Sequence, residues 1–428
     1  MNPAGLRADD FWIITTAVLC ALSCALLGVP LVLRRMSLLG DAISHAMLPG
    51  IATAFLLLNS RALGPMLAGA VVVGLLTAVL TAALSRWGKV PEDAAMGVVF
   101  TSLFALGVIL ISMAASQVDL DPGCVLYGLI EFVPLDRTEL LGIELPRATA
   151  GLMGVLAGNV LLLLLFYKEL KIVCFDPYLA TTMGISAAAV HYGLMATVAA
   201  TSVAAFESVG AILVVAMLIA PAATAHLLTD RFSRMFLIAA GSGVLSAVAG
   251  YFLALNWNTS VAGMISVAAG VQFALAVLLA PRHGFVSRRM HQFLLALRIT
   301  REDILGMLYR WKESAPSRGL GRAQVLAALG RGALPRVALE TLRRARLIER
   351  RSDDTLELSP AGVAQARGLV QAHRLWESYL AKHLGLPLDH LHEPAERMEH
   401  YVGERLRGQL QSEIEQRSDP HGRDIPAD

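Results

Sequence analysis

Charge is scarce in this chain of 428 residues: Asp, Glu, Lys and Arg together make up 16%, while hydrophobic residues make up 55%. Apolar runs of about 20 residues are long enough to cross the hydrocarbon core of a bilayer as helices, which implies an integral membrane protein rather than a soluble one. Cysteine is scarce too. The four are Cys20, Cys24, Cys124 and Cys174, two inside one apolar run and none clustered in a loop, so neither a disulfide framework nor a thiolate zinc site is suggested. No Gly-x-x-x-x-Gly-Lys-Ser/Thr occurs, so the chain carries no phosphate loop with which to harness a nucleotide. His-Glu-x-x-His is also missing, which sets aside a zincin-type hydrolase. Asp9 and Asp10, rather than a basic segment, precede the first apolar run, and no small-residue cleavage site follows it. That run is expected to be a retained helix, not a removed signal peptide.

What is present divides in two. Up to about Ala280 the chain reads as nine apolar spans, at roughly 11–33, 40–59, 65–85, 92–115, 148–166, 187–206, 208–228, 235–255 and 259–280. Alternate connections collect Arg34, Arg35, Arg86, Lys89, Lys168, Lys171, Arg231, Arg234, Arg282, Arg288 and Arg289 on one side, against Arg7, Arg61, Arg137 and Arg147 on the other. The positive-inside rule then places the N-terminus outside and the C-terminus in the cytoplasm. The expected fold class is an all-α polytopic membrane protein of about nine transmembrane helices with a soluble C-terminal module. Pro281–Asp428 holds eight of the eleven histidines. Its charge is segregated: 283–350 has 14 Lys and Arg against 5 Asp and Glu, and 351–428 has 9 against 14.

Polar residues in the apolar half are few and therefore informative. Asp41 and His45 lie four apart, hence on one helical face, where a carboxylate and an imidazole can replace part of the water shell of a divalent ion. The same two residues also read as a helix N-cap and a packed histidine. His191, His226 and Glu207 sit near span ends and suit interfacial roles.

The segment from Gly40 to Gly50, the stretch Glu92 to Gly97 and the run Val209 to Ala225 resemble the permease subunits of manganese, zinc and iron ABC importers, over essentially all of residues 10–282. The resemblance implies that Asp41 and His45 belong to the metal path. It further implies that Phe175, Asp176 and Pro177, continuing to Gly184, form the loop that docks on an ATPase subunit. A separate ATPase, an extracytoplasmic metal-binding protein, a second permease copy and a bacterial inner-membrane location follow from the same likeness.

In the soluble module an amphipathic helix over 301–314 is followed by helical stretches near 321–330 and 335–346, then by two short strand-like segments at Leu347–Arg350 and Thr355–Leu358. That order is the order of a winged helix-turn-helix. Its candidate recognition helix carries Arg336, Arg343, Arg344 and Arg346, which suits either nucleic-acid phosphates or anionic lipid headgroups.

The acidic half holds the denser chemistry. His373 and Glu377 stand at i and i+4, and His392 to His400 adds two imidazoles and three carboxylates, Glu393, Glu396 and Glu399. Mixed nitrogen and oxygen donors without thiolate suit Mn(II), Fe(II) or Zn(II) better than a structural zinc site. Ser359 to Gly362, His373 to Glu377, Glu396 to His400 and Asp419 to Pro426 resemble the iron- and manganese-dependent repressors of the diphtheria toxin repressor family, over about 297–426. That resemblance implies one metal site of His373, Glu377 and His392 and another of Asp303, Glu396, Glu399 and His400. Gly306 departs from it, standing where manganese-type members often have a carboxylate.

The expected organisation is a permease domain at 1–282, a linker at 283–296, a winged-helix domain at 297–362 and a metal-binding and dimerisation domain at 363–428. The expected function is the permease of an importer for Mn(II) or Fe(II), with Zn(II) as runner-up, joined to a cytoplasmic metal sensor. The competing expectation is a membrane-tethered, metal-dependent DNA-binding regulator.

Overall fold

The computed structural model describes residues 8–58, 63–114, 128, 130–140, 142–282, 284–316, 318–330, 332–351, 353–414 and 417–426. Arg7, Arg61 and Cys124, invoked above, lie outside them, as do the side chains of Asp41 and Glu207. The chain forms two compact units, Met1–Ser287 and Arg288–Asp428.

Among the described residues of the first unit, eight helices are long and apolar enough to cross a membrane: Asp9–Leu33, Gly64–Gly88, Asp93–Met113, Arg147–Leu165, Ala187–Phe206, Ser208–Leu228, Phe232–Trp257 and Val261–Leu279. The ninth expected span, 40–59, is corrected: it is two short helices, Ser37–Ala46 and Leu48–Leu58, interrupted at Met47. Pro49, which lacks the N–H needed for an i to i−4 bond, sits in the first turn of the second helix, where proline is best accommodated. Gly210 does similar work between the sixth and seventh spans, with φ +78° and ψ 164°, a conformation that side chains bearing a Cβ rarely adopt. No strand was expected here, yet Arg137–Leu140 and Ile143–Pro146 pair antiparallel, from Arg137 opposite Pro146 to Leu140 opposite Ile143.

The first helix runs through the middle of this unit. Its Cys20, Cys24, Leu27 and Leu31 are buried in one core with Leu213, Met217 and Leu218. Two polar pairs lie inside, Thr16 Oγ1 with Thr149 Oγ1 at 2.8 Å and Asn159 Nδ2 donating to Thr201 Oγ1 at 2.9 Å. Leu161, Leu164, Leu165 and Leu237 are exposed, as a lipid-facing surface requires. Helices approach closely where side chains are small. A Cβ on Gly50 would stand 2.2 Å from the Gly69 carbonyl oxygen, and one on Gly69 would stand 2.4 Å from that of Gly50.

The helix Phe285–Ser314 begins inside the stretch read as a linker, and from Arg288 on it belongs to the second unit. Helices Arg322–Ala328 and Ala333–Arg344 follow, with a three-stranded antiparallel sheet in which Thr355–Leu358 lies between Leu320–Gly321 and Ile348–Arg350. This is the winged-helix arrangement. Ile304, Leu305, Leu308, Val325, Leu342 and Leu356 close its core. Ser359 then starts the helix Pro360–Leu384: its hydroxyl accepts from Gly362 N at 3.0 Å, Pro360 occupies the first turn, and Gly385 at φ +59° ends it. A smaller core of Ala372, Leu375, Val402, Leu410 and Ile414 holds the remaining helices.

Gly69→Val should therefore lower stability by about 1–3 kcal/mol through overpacking against the Gly50 backbone. A thermal-shift assay on detergent-solubilised protein that finds the variant melting with the wild type would contradict this crossing.

Candidate metal centre

In the second unit the helix Pro360–Leu384 presents His373 and Glu377 one turn apart, with 4% and 3% of their side chains exposed. His392, the first residue of the helix His392–Met398, closes the group. Three donor atoms meet there: His373 Nε2 to Glu377 Oε1 is 3.0 Å, His373 Nε2 to His392 Nδ1 is 3.1 Å, and His392 Nδ1 to Glu377 Oε1 is 3.1 Å. Ligands about 2.2 Å from an ion and at right angles stand roughly 3.1 Å apart, whereas tetrahedral ones at about 2.1 Å stand roughly 3.4 Å apart. The three donor atoms are close enough together to share one ion.

The second group is Asp303, Glu399 and His400. Asp303 comes from the first helix, while Glu399 and His400 come from the 3-10 turn Glu399–Tyr401. His400 Nε2 is 3.2 Å from Asp303 Oδ1 and its Nδ1 is 2.8 Å from Glu302 Oε2. Glu302 was not anticipated; in turn it accepts from Arg298 Nε at 2.9 Å. Glu399 links the two groups, for its Oε2 is 2.5 Å from His373 Nδ1 and also accepts from Arg310 Nη2 at 3.1 Å. His373 Nδ1 is nevertheless a buried atom without a properly directed hydrogen bond. Imidazoles and carboxylates gathered without a thiolate are a donor set that a divalent cation satisfies.

Glu396, expected in the second group, is not brought into it. It is exposed, three residues before the buried Glu399, and lines an open cleft of about 860 Å³ together with Asp303 and Arg310. Position 306 holds no ligand, and a Cβ there would meet Leu369 at 3.3 Å.

Burial alone would lower the pKa of His400, but its bonds to Asp303 and Glu302 push it up to about 9. Burial would raise Glu377, yet His373 and His392 hold it down at about 2. The same balance lowers Glu302, through His400 and Arg298, and raises His373, through Glu377 and Glu399. The His400 contribution to stability is fully present below its unfolded value near 6.5 and is lost as pH rises through about 9. The Glu377 contribution is present above about 4.3 and is lost as pH falls toward about 2.

Arg374, next to His373, is buried and donates from both terminal nitrogens to Glu313, at 3.1 Å and 2.5 Å, and also to the Asp424 carbonyl oxygen. It ties the C-terminal segment to the first helix behind the metal groups.

The other sequence-derived sites are separate. Asp41 and His45 share the helix Ser37–Ala46, and the half-buried His45 ring lies 6.3 Å and 6.1 Å from the rings of Phe100 and Phe104. Asp176 caps the helix Pro177–Thr182, its Oδ1 accepting from Tyr178 N at 3.0 Å and Leu179 N at 2.9 Å, and Gly184 at φ +81° terminates it. Phe175, Tyr178, Leu179 and Met183 are exposed around it. On the candidate recognition helix Arg343 and Arg344 are both engaged by Glu340, at 3.0 Å and 3.1 Å, Arg336 is exposed, and Arg346 sits in the following turn at φ +56°.

The geometry defines a polytopic membrane protein with a winged-helix and metal-ligand module. The chain belongs to the ABC 3 transport family, whose model matches residues 11–280, and the model for the iron dependent repressor metal binding and dimerisation domain matches residues 359–427. The manganese transport system membrane protein MntD of Bacillus subtilis is 48% identical over 282 residues, 66% of this chain and 95% of that one. The zinc transport system membrane protein TroD of Treponema pallidum is 45% identical over 276 residues, 64% and 75% of the two chains. Among solved structures, PsaBC from Streptococcus pneumoniae in complex with Fab matches with a TM-score of 0.57 and 34% identity, covering 66% of this chain and 96% of that one.

At neutral pH a metal must displace the His400 proton, so Mn(II) affinity at that group should rise about tenfold per pH unit between 7 and 9. Calorimetry on the full chain, with proton release read from buffers of different ionisation enthalpy, checks this; a flat pH profile would refute the pairing of His400 with Asp303 and Glu302.

Proposed function

We propose that this chain is the permease subunit of an ATP-driven importer for Mn(II) or Fe(II), with Zn(II) as the less favoured cargo, and that its C-terminal unit senses metal in the cytoplasm and restrains uptake. The observation that carries the reading is the presence, in one chain, of the family's membrane domain and two groups of imidazoles and carboxylates, with His373, Glu377 and Glu399 buried and no thiolate among them. The manganese and zinc relatives support the class of cargo, and mixed imidazole and carboxylate donors without thiolate suit Mn(II) and Fe(II).

In this reading Asp41 and His45 lie on the ion path, and the permease works as a pair. Hydrolysis occurs on a separate ATPase subunit docked at the Phe175–Gly184 segment, where the exposed Tyr178 and Leu179 offer an apolar surface. The basic connections put that segment and the C-terminal unit in the cytoplasm, and an extracytoplasmic metal-binding protein delivers the ion. Metal entering His373, Glu377, His392 and the Glu399 group neutralises buried carboxylates. That favours whichever packing of the unit binds it better, and this differential affinity is all that feedback requires. A DNA-binding role has weaker support, because Glu340 occupies two of the arginines that would meet phosphate.

Two measurements test this. Asp41→Ala should abolish uptake of radiolabelled manganese, iron and zinc in proteoliposomes containing the ATPase, while His373→Ala with His400→Ala should leave uptake intact and remove its inhibition by metal trapped inside. Inhibition that persists in the double variant refutes the sensor, and wild-type uptake by Asp41→Ala refutes the path. Separately, Tyr178→Glu with Leu179→Glu should reduce co-purification of the ATPase at least tenfold; undiminished co-purification would place the docking surface elsewhere.

A further inference from the structure

The helix Phe285–Ser314 carries one apolar stripe along its length, but only its second half is covered. Ile304 and Leu308 are buried in the winged-helix core and Leu297 packs against it. One to three turns earlier, at the same helical spacing, Val286 is 47% exposed, Met290 54%, Phe293 46% and Leu294 53%. A large apolar stripe left uncovered on a soluble surface marks an interaction site.

Charge says what kind. From Pro281 to Arg301 there are five arginines, at 282, 288, 289, 298 and 301, and no aspartate or glutamate. Arg282 is paired with Asp230 and Arg298 with Glu302. A helix with an apolar stripe whose only charged residues are basic is the composition that lies in a membrane interface and attracts anionic lipid. Reach agrees: the membrane-spanning helix ends at Leu279 and the new helix starts at Phe285, so the five residues between cover at most about 18 Å. A second copy of the chain is the rival occupant, but it would set this acid-free, arginine-rich stretch against its own like.

We propose that residues 286–297 form an interfacial helix, with Val286, Met290, Phe293 and Leu294 entering the headgroup and acyl boundary and the neighbouring arginines contacting anionic headgroups. The same helix carries Arg298, Glu302 and Asp303 one to two turns further on, so lipid contact holds one wall of the second metal group.

The test uses the full chain in lipid nanodiscs. A photoreactive benzoylphenylalanine in place of Phe293, and separately in place of Met290 should the first variant fold poorly, should yield lipid adducts by mass spectrometry. Crosslinked dimers, adducts within the chain, or lipid adducts no more frequent than from a probe replacing the exposed Glu404 would each overturn the proposal. On the unmodified chain, amide hydrogen exchange over 286–296 should slow about tenfold when phosphatidylglycerol replaces part of the phosphatidylcholine. Exchange that ignores lipid charge would remove the anionic partner.

Discussion

A carboxylate with 2% of its side chain exposed is costly to bury without polar partners, and Glu399 is met from two directions, by Arg310 from the helix Phe285–Ser314 and by His373 from the long helix that follows the wing. These segments are far apart in sequence, and besides the apolar core that Ile304, Leu305 and Leu308 share with Ala366 they are joined by charge. Asp303 and Glu302 meet His400, and Glu377 and His392 meet the other ring nitrogen of His373. Arg374 repeats the device one residue along, fixing Glu313 and the C-terminal segment. The module is thus assembled around neutralised charge, with two modest apolar cores flanking it.

The membrane unit obeys a different constraint. Lipid cannot hydrogen-bond a backbone, so every spanning segment is helical, and hydropathy alone locates such segments. That is why the spans at 11–33, 65–85 and 235–255 fall within a few residues of the observed helices. Hydropathy is blind to a one-residue interruption, and the break at Met47 had only Pro49 to announce it. The hairpin Arg137–Pro146 has too short and too polar a pattern to stand out, since its strands are four residues each.

In the metal centre, what local spacing encodes was readable. His373 and Glu377 declare themselves as a one-turn pair, and Glu399 with His400 as a dense run. Asp303 was reached only through family likeness, because it lies 96 residues or more before its partners and no spacing rule spans such a gap. Glu302 and Arg310 were missed for the same reason, although Arg298 four residues before Glu302 hinted at a helical pair. Glu396 misled because a shared helical face does not fix burial: Glu399 is buried, whereas Glu396 is exposed.

The helix Pro177–Thr182 has only six residues, about 9 Å, yet it is fastened at both ends, by the Asp176 carboxylate in front and the left-handed Gly184 behind. An unfastened turn of that length would fray and act as a spring. Fastened, it is a stiff peg, and a push delivered at Tyr178 passes into the adjoining helices with little lost motion.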